Sequence, residues 1–309
     1  MRNIAARLIL FVPTILGALV LVFVLMRILP GDPASAILGT SATPAGVAAL
    51  RSQMGLDKPL GLQFVDYFAG LAHLDLGRSL ALNTPVSALL AQALGPTLLV
   101  TLGGTIVSLI FGIPLGVLAA LKRATWIDHL ATITALLGIS APVFVWGLLL
   151  LFAFTLYWPI LPSAGAGDNP VGVVRSLVLP SVATGLFLVG IVARITRSSL
   201  LSVLAQDYVR TARAKGLRKL TVMNRHALVN ALIPVVTIVG LNIGTLIGGV
   251  VVIETVFTRP GIGRLVLDAI GARDYPVIQG VILLFSALYV LVNLGIDVAY
   301  TLLDPRIRY

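Results

Sequence analysis

Between Asp207 and His226 six cationic side chains, Arg210, Arg213, Lys215, Arg218, Lys219 and Arg225, stand against one carboxylate, Asp207. The chemistry such a segment offers is electrostatic. It can seat an acidic partner, or fix a membrane protein's orientation through positive charge on the cytoplasmic side. The segment reads as helical, with Ala212 and Gly216 one turn apart on one face. Covalent chemistry finds little to work with. His73, His129 and His226 lie far apart, with no carboxylate at metal-ligand spacing, so no metal site is expected. Ser108, Ser140 and Ser286 have no evident base, and no Gly-x-x-x-x-Gly-Lys-Ser/Thr loop is present to cradle ATP. The absence of cysteine removes disulfides, thiolate ligands and cysteine nucleophiles. The chain is therefore expected to hold no catalytic residue and no bound cofactor.

A second group of polar residues lies in apolar surroundings, where burying a charge costs about 2.5–3.5 kcal/mol on insertion scales. Gln279, Ser286, Asn293 and Tyr300 recur at sevens with Asp297 on the same face. That stripe is either a seam of interhelical hydrogen bonds or the lining of a solute path. Asn242, Thr245 and Gly249 form another polar stripe, and Ser140 and Pro142 interrupt a third apolar run. Glu254 either pairs with Arg259 or Arg264 or takes part in gating. Ser140, Pro142, Asn242, Thr245, Glu254, Asn293 and Asp297 are thus the candidates for a translocation path or gate.

The elements that must position these residues are membrane helices. Of 309 residues 58% are hydrophobic and only 11% charged, whereas soluble domains are about a quarter charged. An all-α polytopic membrane protein forming one transmembrane domain over 1–309 is expected, with six spans at about 8–29, 97–121, 130–158, 177–195, 231–253 and 277–303. A hydrocarbon core of about 30 Å needs roughly 20 residues of helix, which each run supplies. The first is too long for a signal peptide and reads as an uncleaved anchor, with Arg27 snorkelling at its outer end. Residues 30–95 form an outer segment with amphipathic pieces at 43–54 and 63–74, suited to a cap or a docking surface. Gly112 and Gly116, and Gly240, Gly244 and Gly248, permit close helix contact. Most Lys and Arg fall on the segments this topology places inside, including both termini and the loop at 197–230. The net charge of +10 thus sets orientation and does not call for nucleic acid.

With these stretches in view the chain resembles the permease subunits of bacterial ABC importers. Their cytoplasmic loop has the pattern Glu-Ala-Ala-x-x-x-Gly, nine residues, then Ile-x-Leu-Pro. Here Arg210-Thr211-Ala212 precede Gly216, and His226-Ala227-Leu228-Val229 follow after nine residues. Only Ala212, Gly216 and Leu228 match the general pattern strictly. DYVRTARAKG followed by RHALVNALIP is similar to the variant in dipeptide, oligopeptide, glutathione and nickel permeases. Leu29-Pro30-Gly31-Asp32-Pro33, Asp75-Leu76-Gly77-Arg78-Ser79, Glu254-Thr255-Val256-Phe257 and Arg273-Asp274-Tyr275-Pro276 agree, as does the terminal Leu303-Asp304-Pro305-Arg306-Ile307-Arg308. The larger outer segment resembles that of the first permease of a pair.

The resemblance implies a type I importer fold in the bacterial inner membrane. It also implies a heterodimer with a second homologous permease, two cytoplasmic ATPase subunits carrying ATP and Mg, and an extracytoplasmic solute-binding protein. The coupling loop would comprise Asp207, Tyr208, Arg210, Thr211, Ala212, Arg213, Ala214, Lys215, Gly216 and Leu217, with His226 and Leu228 beyond. Short peptides are the implied cargo, with glutathione, nickel or another small solute as the alternative. A transporter driven by ion gradients is the reading from another class. It calls for buried carboxylates near mid-membrane in repeated halves, and only Asp297 answers that.

Overall fold

The computed structural model describes residues 2–28, 31–165, 167 and 169–303, with side chains described except at 2–12, 41, 139 and 297–303. The terminal motif at 304–309, Leu29-Pro30 and the side chains of Asp297 and Tyr300 therefore lie outside the described residues. In chain order the helices are α1 (Arg2–Ile28), α2 (Pro33–Leu38), α3 (Pro44–Gln53), α4 (Leu60–Ala72) and α5 (Val86–Leu121). Then come α6 (Trp126–Ser140), α7 (Val143–Leu151), α8 (Pro170–Leu204), α9 (Asp207–Ala214) and α10 (Lys219–Thr221). Helices α11 (Val229–Val256), α12 (Ile262–Ala272) and α13 (Tyr275–Leu303) complete the chain. Wider π-type turns follow α7 at Phe152–Tyr157 and precede α11 at Val222–Leu228. Among the described residues there is an isolated β-bridge between Arg78 and Pro85.

Among the described residues four stretches are long and apolar enough to cross a membrane: Val86–Leu121, Pro170–Leu204, Lys219–Val256 and Tyr275–Ile296. A fifth counts if α6 and α7 form one broken span, bent by 99°. The break has a local cause. Pro142 disfavours the helical region for its predecessor, and Ala141 is extended at φ −101°, ψ 140°. A kink in this span is thus a full break. Other boundaries also differ from the sequence reading. Helix α5 begins at Val86 and runs through Pro96, and α8 extends well beyond 177–195 at both ends.

The fold divides into two compact units: Met1–Pro96 with Pro260–Leu291, and Thr97–Arg259 with Val292–Tyr309. In the first, Val22, Val86, Leu90, Ile262, Val277 and Val281 make the core, so the end of α1, the start of α5, α12 and the start of α13 pack together. Aromatic contacts fasten α4 to α1, with Phe23 edge-on to Phe64 at 5.2 Å. Asp274 organises the loop before α5. Its carboxylate accepts from Ser79 Oγ at 2.5 Å, Leu80 N at 3.1 Å and Ala81 N at 3.2 Å. Arg27, at the outer end of α1, donates to the Phe23 carbonyl at 3.1 Å and to Gln63 Oε1 at 3.0 Å, because α4 supplies polar partners close to the α1 terminus.

Helix α8 is the centre of the second unit: 67% of its apolar window is buried, against 33% for α5 and α11. Its neighbour α5 approaches through small residues. A Cβ at Gly116 would stand 2.5 Å from the Ala193 carbonyl oxygen, and one at Gly112 would stand 2.7 Å from Val192 Cγ1. Gly104 meets Thr184 and Gly185 in the same way, so the contact indices rise together and the two helices run parallel. The ridge on α11 is less uniform, with Gly240 against Ile296 while the space beside Gly248 is open.

Pro180 stands inside α8 and lacks the N–H that would bond the Ser176 carbonyl. Arg259, 1% exposed, takes that carbonyl: its Nη1 donates to Ser176 O at 3.2 Å, Ser176 Oγ at 3.0 Å and Gly165 O at 2.9 Å.

Two predictions follow from this packing. Gly116→Leu should destabilise the detergent-purified chain by about 1–3 kcal/mol through overpacking, while Gly248→Ala should leave its thermal midpoint unchanged or raised. Equal effects at the two positions would contradict the packing described. Arg259→Met should cost about 1–3 kcal/mol for the stranded carbonyl, and less in a Pro180→Ala background, where the helix can bond Ser176 itself. Additive losses in that double-mutant cycle would rule out the carbonyl-capture role.

Candidate functional site: the basic loop and the polar helix positions

The basic segment follows α8 almost without pause. Helix α8 closes at Ala205, Gln206 is extended, and α9 starts at Asp207. Its end is a Schellman stop. Gly216 adopts φ +77°, its N–H bonds Arg213 O at 3.0 Å, and the Leu217 N–H reaches back to Ala212 O at 3.4 Å. A Cβ at Gly216 would meet nothing within 4 Å, so within this chain the glycine serves the left-handed turn and not a close approach. Ala212 also turns inward. It is buried with Val209 and Val222, beside Val203 and Leu204. Ala212 and Gly216 therefore do not make one outward docking face: the first anchors α9 to its own unit and the second ends it.

What α9 presents outward is Asp207, Tyr208, Arg210, Thr211, Arg213, Ala214, Lys215, Gly216 and Leu217. Arg210 lies 3.6 Å from Asp207 in an exposed i,i+3 pair of little energetic weight. Thr211 Oγ1 donates to the Asp207 carbonyl at 3.0 Å. Tyr208 brings in the second half of the motif. Its hydroxyl donates to the His226 carbonyl at 3.3 Å and accepts from Asn230 Nδ2 at 2.9 Å. Asn230 also donates to His226 O at 2.9 Å, so the π-type turn holding His226 and Leu228 is tied to the first turn of α9. It is the His226 backbone, not its ring, that makes this link.

The candidates for a path or gate are placed differently from one another. Ser140 Oγ donates to Leu136 O at 2.7 Å and Asn242 Nδ2 to Ile238 O at 2.8 Å, each within its own helix. Thr245 is exposed, Asn293 is half-buried, and Pro142 forms the α6–α7 break. Glu254 is fully buried, and its Oε1 accepts from Thr97 Oγ1 at 2.6 Å. Its backbone carbonyl accepts from the Arg259 N–H at 2.8 Å, closing the turn that brings Arg259 to Ser176.

Sequence reasoning did not single out Thr97, Ser176 or Asp128. Asp128 receives Arg197 in a two-pronged contact, both bonds at 2.7 Å, and also the Ala124 N–H at 3.0 Å. This joins the starts of α6 and the last third of α8. The one available signal was a lone carboxylate and an arginine at the ends of neighbouring apolar runs.

Comparison with known proteins assigns the chain. The family described as "Binding-protein-dependent transport system inner membrane component" matches residues 112–309, and its N-terminal companion family matches 1–95. A putative peptide transport system permease protein of Brucella abortus (strain 2308) is 45% identical over 303 residues, covering 96% of each chain. The glutathione transport system permease protein GsiC of Salmonella typhimurium is 43% identical over 309 residues, covering 100% of this chain and 99% of that one. Among solved structures, inward-facing MetNI methionine ABC transporter aligns with TM-score 0.58 at 18% identity, over 71% of this chain and 97% of that one. An amino acid ABC transporter aligns at 0.52 and 15% identity, over 72% and 95%. With the fold of these transporters and family models over both of its parts, the chain belongs to the binding-protein-dependent transport system inner membrane components, the permease subunits of bacterial ABC importers.

Proposed function

We propose that this permease carries short peptides, and that α9 is the helix through which it is driven. The cargo reading rests on full-length relatives named for peptide transport, with glutathione as the second reading because an equally complete relative is named for it. Six spans with both termini cytoplasmic are part of the proposal, supported by the basic residues on the segments so placed. So is the assembly: a heterodimer with a second homologous permease, two ATPase subunits holding ATP and Mg, and one extracytoplasmic binding protein.

The single observation that carries the coupling role is the exposure of Arg210, Arg213 and Lys215 on a short helix tied into its own unit by Val209 and Ala212. Such a helix can meet acidic groups on an ATPase and transmit their displacement to α8, which ends beside it. Closure of the ATPases on ATP would then favour one loop position, and that position would favour ATP binding in return. Ser140, Asn242, Thr245, Asn293 and Asp297 are proposed to line or gate the path.

Two experiments test this. A strain lacking the partner ATPase genes should lose uptake of labelled dipeptide, and glutathione in excess should compete poorly in the intact strain. Uptake that persists on a proton gradient alone would sink the mechanism, and stronger competition by glutathione would reverse the cargo order. For the loop, Gly216→Val should leave the protein inserted while uncoupling ATP hydrolysis from transport. Gly216→Asn, which tolerates the left-handed turn, should retain most coupling. Normal transport by the valine variant would remove α9 from the drive.

A further inference from the structure

A cavity of about 200 Å³ lies wholly within the first unit, between the last turn of α1, the α3–α4 connection, α4 and the start of α13. Its polar lining is unusual for so apolar a chain. Arg27 contributes a half-buried guanidinium whose Cζ sits 3.4 Å from the Phe23 ring centroid. The hydrogen bonds it makes are to neutral acceptors, the Phe23 carbonyl and Gln63 Oε1, and no described carboxylate pairs with it. Tyr67 and Gln279 also line this cavity, and Tyr67 Oη and Gln279 Nε2 are buried with no hydrogen-bond partner among the described residues. Gln279 as a whole is only 4% exposed. Burial pushes the Tyr67 phenol up to about 12, against the pull of Arg27, and the group therefore keeps its proton and can donate.

The other charges at the rim cancel. Lys58 Nζ donates to Asp66 Oδ2 at 2.7 Å, leaving Arg27 as the net charge of the cavity. One cation, one phenol and one amide side chain thus share a lining with Met54, Leu56 and Pro276. Buried donors of this kind are costly unless an acceptor satisfies them. We propose that this cavity binds the carboxylate of a small organic acid, with Arg27, Tyr67 and Gln279 as its donors. A singly charged, two-oxygen acceptor on an apolar body matches a single guanidinium with neutral donors and apolar walls. A doubly charged, strongly hydrated phosphate does not. The site is separate from α9, and its assignment does not depend on which solute the importer carries.

The test is calorimetric titration of the purified full-length chain in neutral detergent, using N-acetylalanine as probe and its amide, inorganic phosphate and a phosphatidylglycerol nanodisc as controls. N-acetylalanine should bind saturably and the amide should not. Tyr67→Phe and Gln279→Leu should each weaken binding by about three- to tenfold, and Arg27→Gln should abolish it. Because each of the first two variants removes an unpartnered buried group, their unliganded thermal midpoints should be unchanged or raised, which a merely structural role would not give. Equal binding of acid and amide, tighter binding of phosphate, response to phosphatidylglycerol alone, no binding, or undiminished binding by the Tyr67→Phe and Gln279→Leu variants would each overturn the assignment.

Discussion

The Ser176 carbonyl is the constraint on which the second unit turns. In a bilayer no water reaches an unbonded backbone group, so each proline inside a membrane helix creates a debt that another group must meet. Pro180 creates one in the most buried helix of the protein, and Arg259 meets it with a guanidinium that also holds Gly165. Reaching that position requires the chain to turn sharply after α11, and the turn is closed by the Arg259 N–H on the Glu254 carbonyl. Glu254 in turn is held by Thr97 at the point where α5 enters the unit. A single helix irregularity thus dictates the path of two others and the burial of a carboxylate.

This also changes how Glu254 is understood. Lying near the end of an apolar run, it is fully buried and bonded across 157 positions of sequence. Asp128 with Arg197 plays the corresponding part between α6 and α8, where a planar two-oxygen, two-nitrogen contact fixes orientation as well as distance.

How much of this the sequence revealed depends on the range of the interaction. Helical class and family were legible, because apolar periodicity and the DYVRTARAKG segment are local signals. The break at Pro142 was half legible: proline announces a disturbance, but its size depends on what packs on each side. The close approach at Gly112 and Gly116 followed from their spacing, though the partner helix did not. What the sequence left open was direction. Ala212 shares a helical face with Gly216 by spacing and is buried in the structure, and nothing local says that Val209 and Val222 pack with it. The bond from Arg27 to Gln63 was not legible either, because Gln63 belongs to a helix whose contact with α1 no local pattern encodes. The helical extension of α5 back to Val86, ahead of the span expected from 97, was not legible, because a proline in a packed helix can be carried through.

Helix α8 has one more implication. Thirty-five residues of unbroken helix form a rod of roughly 50 Å at 1.5 Å per residue. Its packing is continuous, and α9 hangs from one end after only Ala205 and Gln206. For a rod of that length a tilt of about 5° about one end carries the other through roughly 4 Å, close to the 5.4 Å pitch of a helical turn. The lever arm is thus fixed by chain length alone, and a small rotation at the loop, were the proposed drive to produce one, would become a side-chain-sized displacement at the far end.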